Sequence, residues 1–188
     1  MQMQNGILAL LQPYSVVPVA VLHTEEQADS ACRRLLEQGY ASIEITLRTQ
    51  GALDLIRYVK TQYGAQLCVG AGTVCQPAQA EAAAKAGAEF LVSPGQTEAL
   101  VLAMKNTGLP YLPGAVSPSE ILQSQERDLG VLKFFPAHLF GGAAALSAYA
   151  SVFQSVRFVP TGGIGQATKQ DYLSLPNVVA VGGSWMLK

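Results

Sequence analysis

A chain of 188 residues with 49% apolar and 13% charged side chains can bury a substantial core and is too apolar to be disordered. Its formal net charge of −1, with no basic run, excludes a nucleic-acid or anionic-membrane surface as the organising feature. Cys32, Cys68 and Cys75 have neither CxxC spacing nor adjacent histidines, which argues against a disulfide framework or a zinc site and for three buried thiols.

The N-terminal MQMQNGILALLQ has no basic head or cleavage-like site, and no apolar run approaches a membrane span, so the cytoplasm is the expected compartment. Short β-rich runs follow at regular intervals: VVPVAVL, SIEIT, QLCVGA, FLVS, YLPG, VLKFF, RFVP and VVAVG. Between them lie segments of helical character, EEQADSACRRLLEQG, GALDLIRYVKTQYG, PAQAEAAAKAG, TEALVLAMKNTG, SPSEILQSQERDLG, GGAAALSAYASVF and ATKQDYLSL, several of which end on glycine. Strand then helix, repeated at this spacing over eight strands, implies parallel strands with right-handed crossovers. The count favours a closed (β/α)8 barrel, a small TIM barrel, over an open doubly wound sheet, as one unit spanning 1–188. No eighth helix is expected after GGSWMLK, and NGILALLQ is expected to lie as an extra helix across the barrel bottom.

Chemistry in such barrels gathers where strands end and βα loops begin. Alternation along IEITLRT puts Glu44, Thr46 and Arg48 on one face and Ile43, Ile45 and Leu47 on the other. The apolar set faces the helices, so the polar set faces the barrel axis. Along VLKFF the same parity turns Val131, Lys133 and Phe135 inward. An ammonium among apolar residues snorkels, pairs or gives up its proton, and in the last case it becomes a nucleophile. Thr73 stands at the end of GAGTV beside glycines that let a ligand approach the backbone. PTGGIG and GGS, after the seventh and eighth strands, lie where barrels commonly bind phosphate.

Plainer readings stand beside these. Lys133 and Glu44 could form a structural pair, Glu44 and Arg48 a rim pair, and the glycine turns simple connections. His23 and His138 lack a motif around them and read as loop or rim residues. Taken together, an inward lysine, an inward carboxylate, an arginine and a phosphate cup point to carbonyl chemistry on a phosphorylated substrate. A lysine adds to a ketone to form a Schiff base while a carboxylate shuttles protons, which requires neither metal nor organic cofactor.

The motifs IEITLRT, GAGTV, VSPG, LPGAVSPSE, LKFFPA, PTGGI and VGGSW, in this order, resemble the 2-keto-3-deoxy-6-phosphogluconate (KDPG) aldolase and 4-hydroxy-2-oxoglutarate aldolase family, lyases of the Entner–Doudoroff route, from Val16 to Trp185. The resemblance implies that Lys133 is the Schiff-base lysine and Glu44 the general acid/base. It implies that Arg48 and Thr73 hold the keto-acid carboxylate, that Pro94 and Phe135 shape the pocket, and that Gly162, Gly163 and Ser184 bind the phosphate, with Thr161 and Gly183 also among the substrate-binding residues. It also implies cleavage of the phosphorylated keto acid to pyruvate and glyceraldehyde 3-phosphate, some activity on 4-hydroxy-2-oxoglutarate, and a homotrimer.

The chain departs from the family pattern at His138, where relatives commonly carry an acidic residue, and at Ser117, where threonine is frequent; it also stops where relatives continue into a last helix. ITLRT and PTGG favour the gluconate over the galactonate epimer. Two rival readings are a metal-free barrel isomerase using Glu44 as base, and a phosphosugar-binding barrel without turnover.

Overall fold

A computed structural model describes residues 2–188. Helix α1 (Gln2–Leu11) precedes eight strands: β1 (Val16–Ala20), β2 (Ser42–Thr46), β3 (Cys68–Gly72), β4 (Phe90–Val92), β5 (Tyr111–Leu112), β6 (Val131–Phe134), β7 (Arg157–Pro160) and β8 (Val181–Gly183). The crossovers carry α2 (Glu25–Glu37), α3 (Ala52–Tyr63), α4 (Pro77–Lys85), α5 (Glu98–Asn106), α6 (Pro118–Gln125), α7 (Gly142–Val152) and α8 (Lys169–Leu173).

All strand pairs are parallel, in the order β5-β4-β3-β2-β1-β8 with β6-β7 as a separate ladder. Two seams close the ring. Lys133 donates its N–H to the Pro113 carbonyl (2.8 Å) and accepts from Ala115 N–H (2.9 Å), joining β6 to the end of β5. Bridges Phe158↔Val178 and Thr161↔Gly182 join β7 to β8. The expected closed barrel forms, and the open sheet is excluded.

The alternation seen in the sequence sorts side chains into two storeys. Outward-facing Ile43 and Ile45 are fully buried in one apolar cluster with Cys32, Leu35, Ile56 and Val59 of the surrounding helices. On the axis, Val17, Phe90, Val92, Leu112, Val131, Val159 and Ala180 form a second cluster with Ile7 and Leu11 of α1. Each of these two side chains contributes about 1.5–3 kcal/mol by leaving water, enough to hold α1 across the lower end of the barrel as the sequence suggested. Above this plug the axis turns polar, with Glu44, Thr46, Lys133 and Thr161 all buried.

Helix starts are set by local chemistry. The hydroxyls of Thr24 and Thr97 accept from Gln27 N–H and Leu100 N–H. At α6, Pro118 sits in the first turn, and Ser117 and Glu120 form a capping box. Burial alone would raise the Glu120 carboxyl, but hydrogen bonds from Ser117 N–H, Val116 N–H and the Ser117 hydroxyl hold it below its ordinary value.

The cysteines correct one expectation. Cys32 is buried and Cys68 partly so, whereas Cys75 is exposed at the start of the α4 connection. Among the described residues no cluster of His, Cys, Asp and Glu could hold a metal ion, and no helix is long and apolar enough to cross a membrane. After β8 a 3-10 turn (Trp185–Leu187) leads to the last residue, and Trp185 Nε1 donates to Gln166 Oε1 at 3.0 Å, tying the β8 end to the loop after β7.

Candidate active site

The lysine of β6 and the glutamate of β2 meet across the barrel axis. Lys133 Nζ lies 3.3 Å from Glu44 Oε1, with side chains 6% and 4% exposed. That spacing is looser than the roughly 2.8 Å of a tight charge-assisted hydrogen bond, so the ammonium is not locked to one oxygen. A second face of Nζ looks onto the Phe135 ring, 5.1 Å from its centroid. A buried pair of this kind is weak evidence for stability, since desolvation offsets most of the attraction.

Glycines create the room for this pair. An added Cβ on Gly72 would overlap the Glu44 carboxylate, and one on Gly70 would overlap the Phe90 ring. The sequence reading assigned the glycines of GAGTV to close approach of a ligand. Instead, side chains of the neighbouring strands occupy the space above them. Gly114, whose register partner is Lys133, is held against the Pro94 carbonyl, which fills the position of its missing Cβ.

Arg48 continues the inward parity of β2 to the mouth, where it is exposed and donates from Nε to Thr73 Oγ1 at 3.3 Å. It does not pair with Glu44, so the rim-pair reading fails. Thr73 itself has φ 58, a left-handed backbone that β-branched residues rarely adopt and that costs about 1–3 kcal/mol. Strain of this kind concentrates at functional sites.

A cavity of about 240 Å³ opens at the C-terminal end of the strands, lined by Val19, Val21, Arg48, Phe135, Thr161, Gly162, Gly163, Ile164, Gly183 and Ser184. Seven of the residues singled out in the sequence therefore share one wall. Lys133 and Glu44 lie deeper, Lys133 one pleat below Phe135 and Glu44 two below Arg48. Thr73 joins the group through Arg48, while Pro94 stands to one side, against Gly114. Gly162 and Gly163 have φ 98 and 75, successive left-handed residues that turn the chain after β7 and leave it without side chains at the cavity. Thr161 is buried, and its hydroxyl fills the space that a side chain on Gly182 would need.

His23 and His138 are both exposed, as expected of rim residues. His138, however, is packed on Gly163. Sequence reasoning missed Val19, Val21 and Ile164 in the cavity wall, and Gly72 and Gly114 beneath the pair. Strand parity could have flagged Val19 and Val21; the other positions depend on neighbours across the barrel.

A closed parallel barrel with a buried lysine–carboxylate pair below an arginine-bearing, glycine-walled mouth has the make-up of an enzyme acting on carbonyl compounds through an amine. The family model described as KDPG and KHG aldolase matches residues 7–188, and the chain belongs to that family. The KHG/KDPG aldolase of Escherichia coli K12 is 41% identical over 179 residues, covering 95% of this chain and 84% of that protein. Among solved structures, a KDPG aldolase from Legionella pneumophila, with pyruvate captured as a covalent carbinolamine intermediate, superposes with a TM-score of 0.91 at 38% identity, covering 95% of this chain and 86% of the other. The KDPG aldolase of Zymomonas mobilis ZM4 with 3-phosphoglycerate gives a TM-score of 0.92 at 37% identity, covering 97% and 86%.

Proposed function

We propose that this barrel is a class I aldolase that cleaves 2-dehydro-3-deoxy-6-phosphogluconate to pyruvate and glyceraldehyde 3-phosphate, and that also acts on 4-hydroxy-2-oxoglutarate. The buried Lys133–Glu44 pair at 3.3 Å carries this reading. The neutral amine of Lys133 adds to the C2 ketone to give a carbinolamine, which loses water to form a protonated Schiff base. Glu44 takes the proton of the C4 hydroxyl as the C3–C4 bond breaks; the electron pair of that bond moves into the Schiff base, giving an enamine, and the aldehyde departs. The enamine regains a proton at C3 from Glu44, and hydrolysis frees pyruvate and Lys133.

Arg48 and Thr73 hold the substrate carboxylate, Phe135 and Pro94 shape the pocket, and Thr161, Gly162, Gly163, Gly183 and Ser184 take the phosphate. The loose pair supports this assignment: Glu44 is close enough to exchange protons with the amine, while Phe135 covers its other side. No metal or organic cofactor enters the scheme. The working form is a homotrimer in the cytoplasm, a point that light scattering on the purified chain would test.

The reading is tested by following pyruvate release with a coupled dehydrogenase. Wild type should turn over the phosphorylated keto acid, and Glu44→Gln should lower kcat by about 10²–10⁴-fold. Full turnover in Glu44→Gln would remove the carboxylate from the mechanism.

A further inference from the structure

The seam that carries the lysine is a thin join. Strand β5 has two residues, and its ladder with β4 ends at the pair Val92↔Leu112. Lys133 is bound just beyond that ladder, through the Pro113 carbonyl (2.8 Å) and Ala115 N–H (2.9 Å). Gly114 lies between these two groups, so the orientation of its planar peptide units sets both bonds to the lysine.

The loop after β4 clamps Gly114 from two sides. The Pro94 carbonyl fills the space of its missing Cβ. Two residues further on, Gln96 Nε2 donates to the Gly114 carbonyl (3.3 Å) and to Ser124 Oγ of α6 (2.6 Å). Ser124 is buried, and its hydroxyl donates in turn to the Glu120 carbonyl (2.7 Å). Within the loop the Ser93 hydroxyl donates to the Gly95 carbonyl (2.7 Å) and Ser93 N–H to the Leu112 carbonyl (3.1 Å), which ties both halves of the clamp to the end of β5. The glutamine amide is oriented by Gly114. Its Oε1 is buried with no hydrogen-bond partner among the described residues, an unfavourable state for a carbonyl. Turning the amide over would set that oxygen against the Gly114 carbonyl, acceptor to acceptor. The side chain therefore leaves one oxygen unpaired and keeps an N–H on Gly114.

We propose that Gln96 is a positioning residue for the reaction: by holding the Gly114 peptide it fixes where Lys133 stands relative to Glu44. The proposal rests on the aldolase reading, in which Lys133 is the amine, and it adds a residue that touches neither the substrate nor the lysine–carboxylate pair. Its effect belongs to the covalent steps and not to binding. Arg48 and Thr73 follow β2 and β3, and the glycine turns follow β7 and β8, so these groups are held by other parts of the ring.

The test compares wild type, Gln96→Met, Gln96→Asn and Ser124→Ala on the 6-phosphorylated keto acid, with thermal unfolding measured alongside. Gln96→Met keeps the length without the donor, and Gln96→Asn keeps the amide but is one methylene short of Gly114. Ser124→Ala removes the contact with α6 and leaves the bond to Gly114 in place. In both Gln96 variants kcat should fall about tenfold while KM stays within about twofold of wild type. Borohydride trapping of pyruvate on Lys133 should slow in step with kcat. Ser124→Ala should lower Tm and leave kcat within about twofold of wild type. A kcat within about twofold of wild type in either folded Gln96 variant would overturn the proposal and leave the aldolase intact. A Ser124→Ala protein that loses as much kcat as Gln96→Met would reduce the network to a stability device and overturn it equally. A wild type that neither turns over the keto acid nor traps pyruvate would overturn the aldolase reading, and the proposal with it.

Discussion

The carboxylate of Glu44 fills the space that a side chain on Gly72 would need. Neighbouring strands β2 and β3 run in register, with Thr46 opposite Gly72 and Glu44 opposite Gly70, so the position of the carboxylate is set by what its neighbour lacks. Gly72→Ala should therefore push Glu44 away from Lys133. The expected result is a folded barrel whose kcat drops by about 10²-fold, since a displacement of about 1 Å can have that effect. Steady-state kinetics, with circular dichroism as the control for folding, checks it.

Thr73 couples strain to function. Replacing it with glycine removes the left-handed strain at φ 58 and also the hydroxyl that meets Arg48. Relief of about 1–3 kcal/mol exceeds the roughly 0.5–1 kcal/mol entropic cost of a glycine, so Tm should rise by a few degrees. KM should rise at the same time, because Arg48 loses its positioning partner. Opposite movements of Tm and substrate affinity, measured by calorimetry and kinetics, are the signature; a fall in both would contradict the strain account.

The capping box of α6 makes stability depend on pH with a defined sign. Glu120 is held below its ordinary value of 4.5, so the folded state binds its proton less readily than the unfolded state. Its contribution is thus present above that ordinary value and disappears as pH falls through the lower folded one. Glu120→Gln should lower the urea midpoint at about pH 7, and the gap to wild type should narrow as the pH is taken below the ordinary value of 4.5.

Thiol reactivity should divide the cysteines. Burial pushes the Cys32 and Cys68 thiols up to about 12, so both stay protonated near neutrality, whereas Cys75 is exposed. A chromogenic disulfide reagent should titrate one thiol in the native protein and three after denaturation. Substitution of Cys75 should abolish the native reaction.

Much of this architecture was legible because two periodicities are simple. Alternation along IEITLRT is enough to place Glu44 inward and Ile43 and Ile45 outward, and the same parity places Lys133. The strand-and-helix rhythm and the glycines after the seventh and eighth strands pointed to the barrel and to its mouth. What stayed hidden depends on contacts across the ring. Nothing in GAGTV announces that its second glycine accommodates a glutamate from another strand, nor does PAHLFGG reveal that its histidine lies on Gly163. The exposure of Cys75 was missed for a similar reason, since general burial statistics say nothing of a residue at a helix approach.

The central claim is that Lys133 is the amine that bonds to substrate. Incubation with pyruvate and sodium borohydride, followed by peptide mass spectrometry, tests it most directly. The account predicts one reduced pyruvate adduct, located on Lys133 and absent from Lys133→Met. A folded protein that acquires no adduct, or acquires it on another lysine, would contradict the Schiff-base mechanism and return the Lys133–Glu44 pair to a structural role.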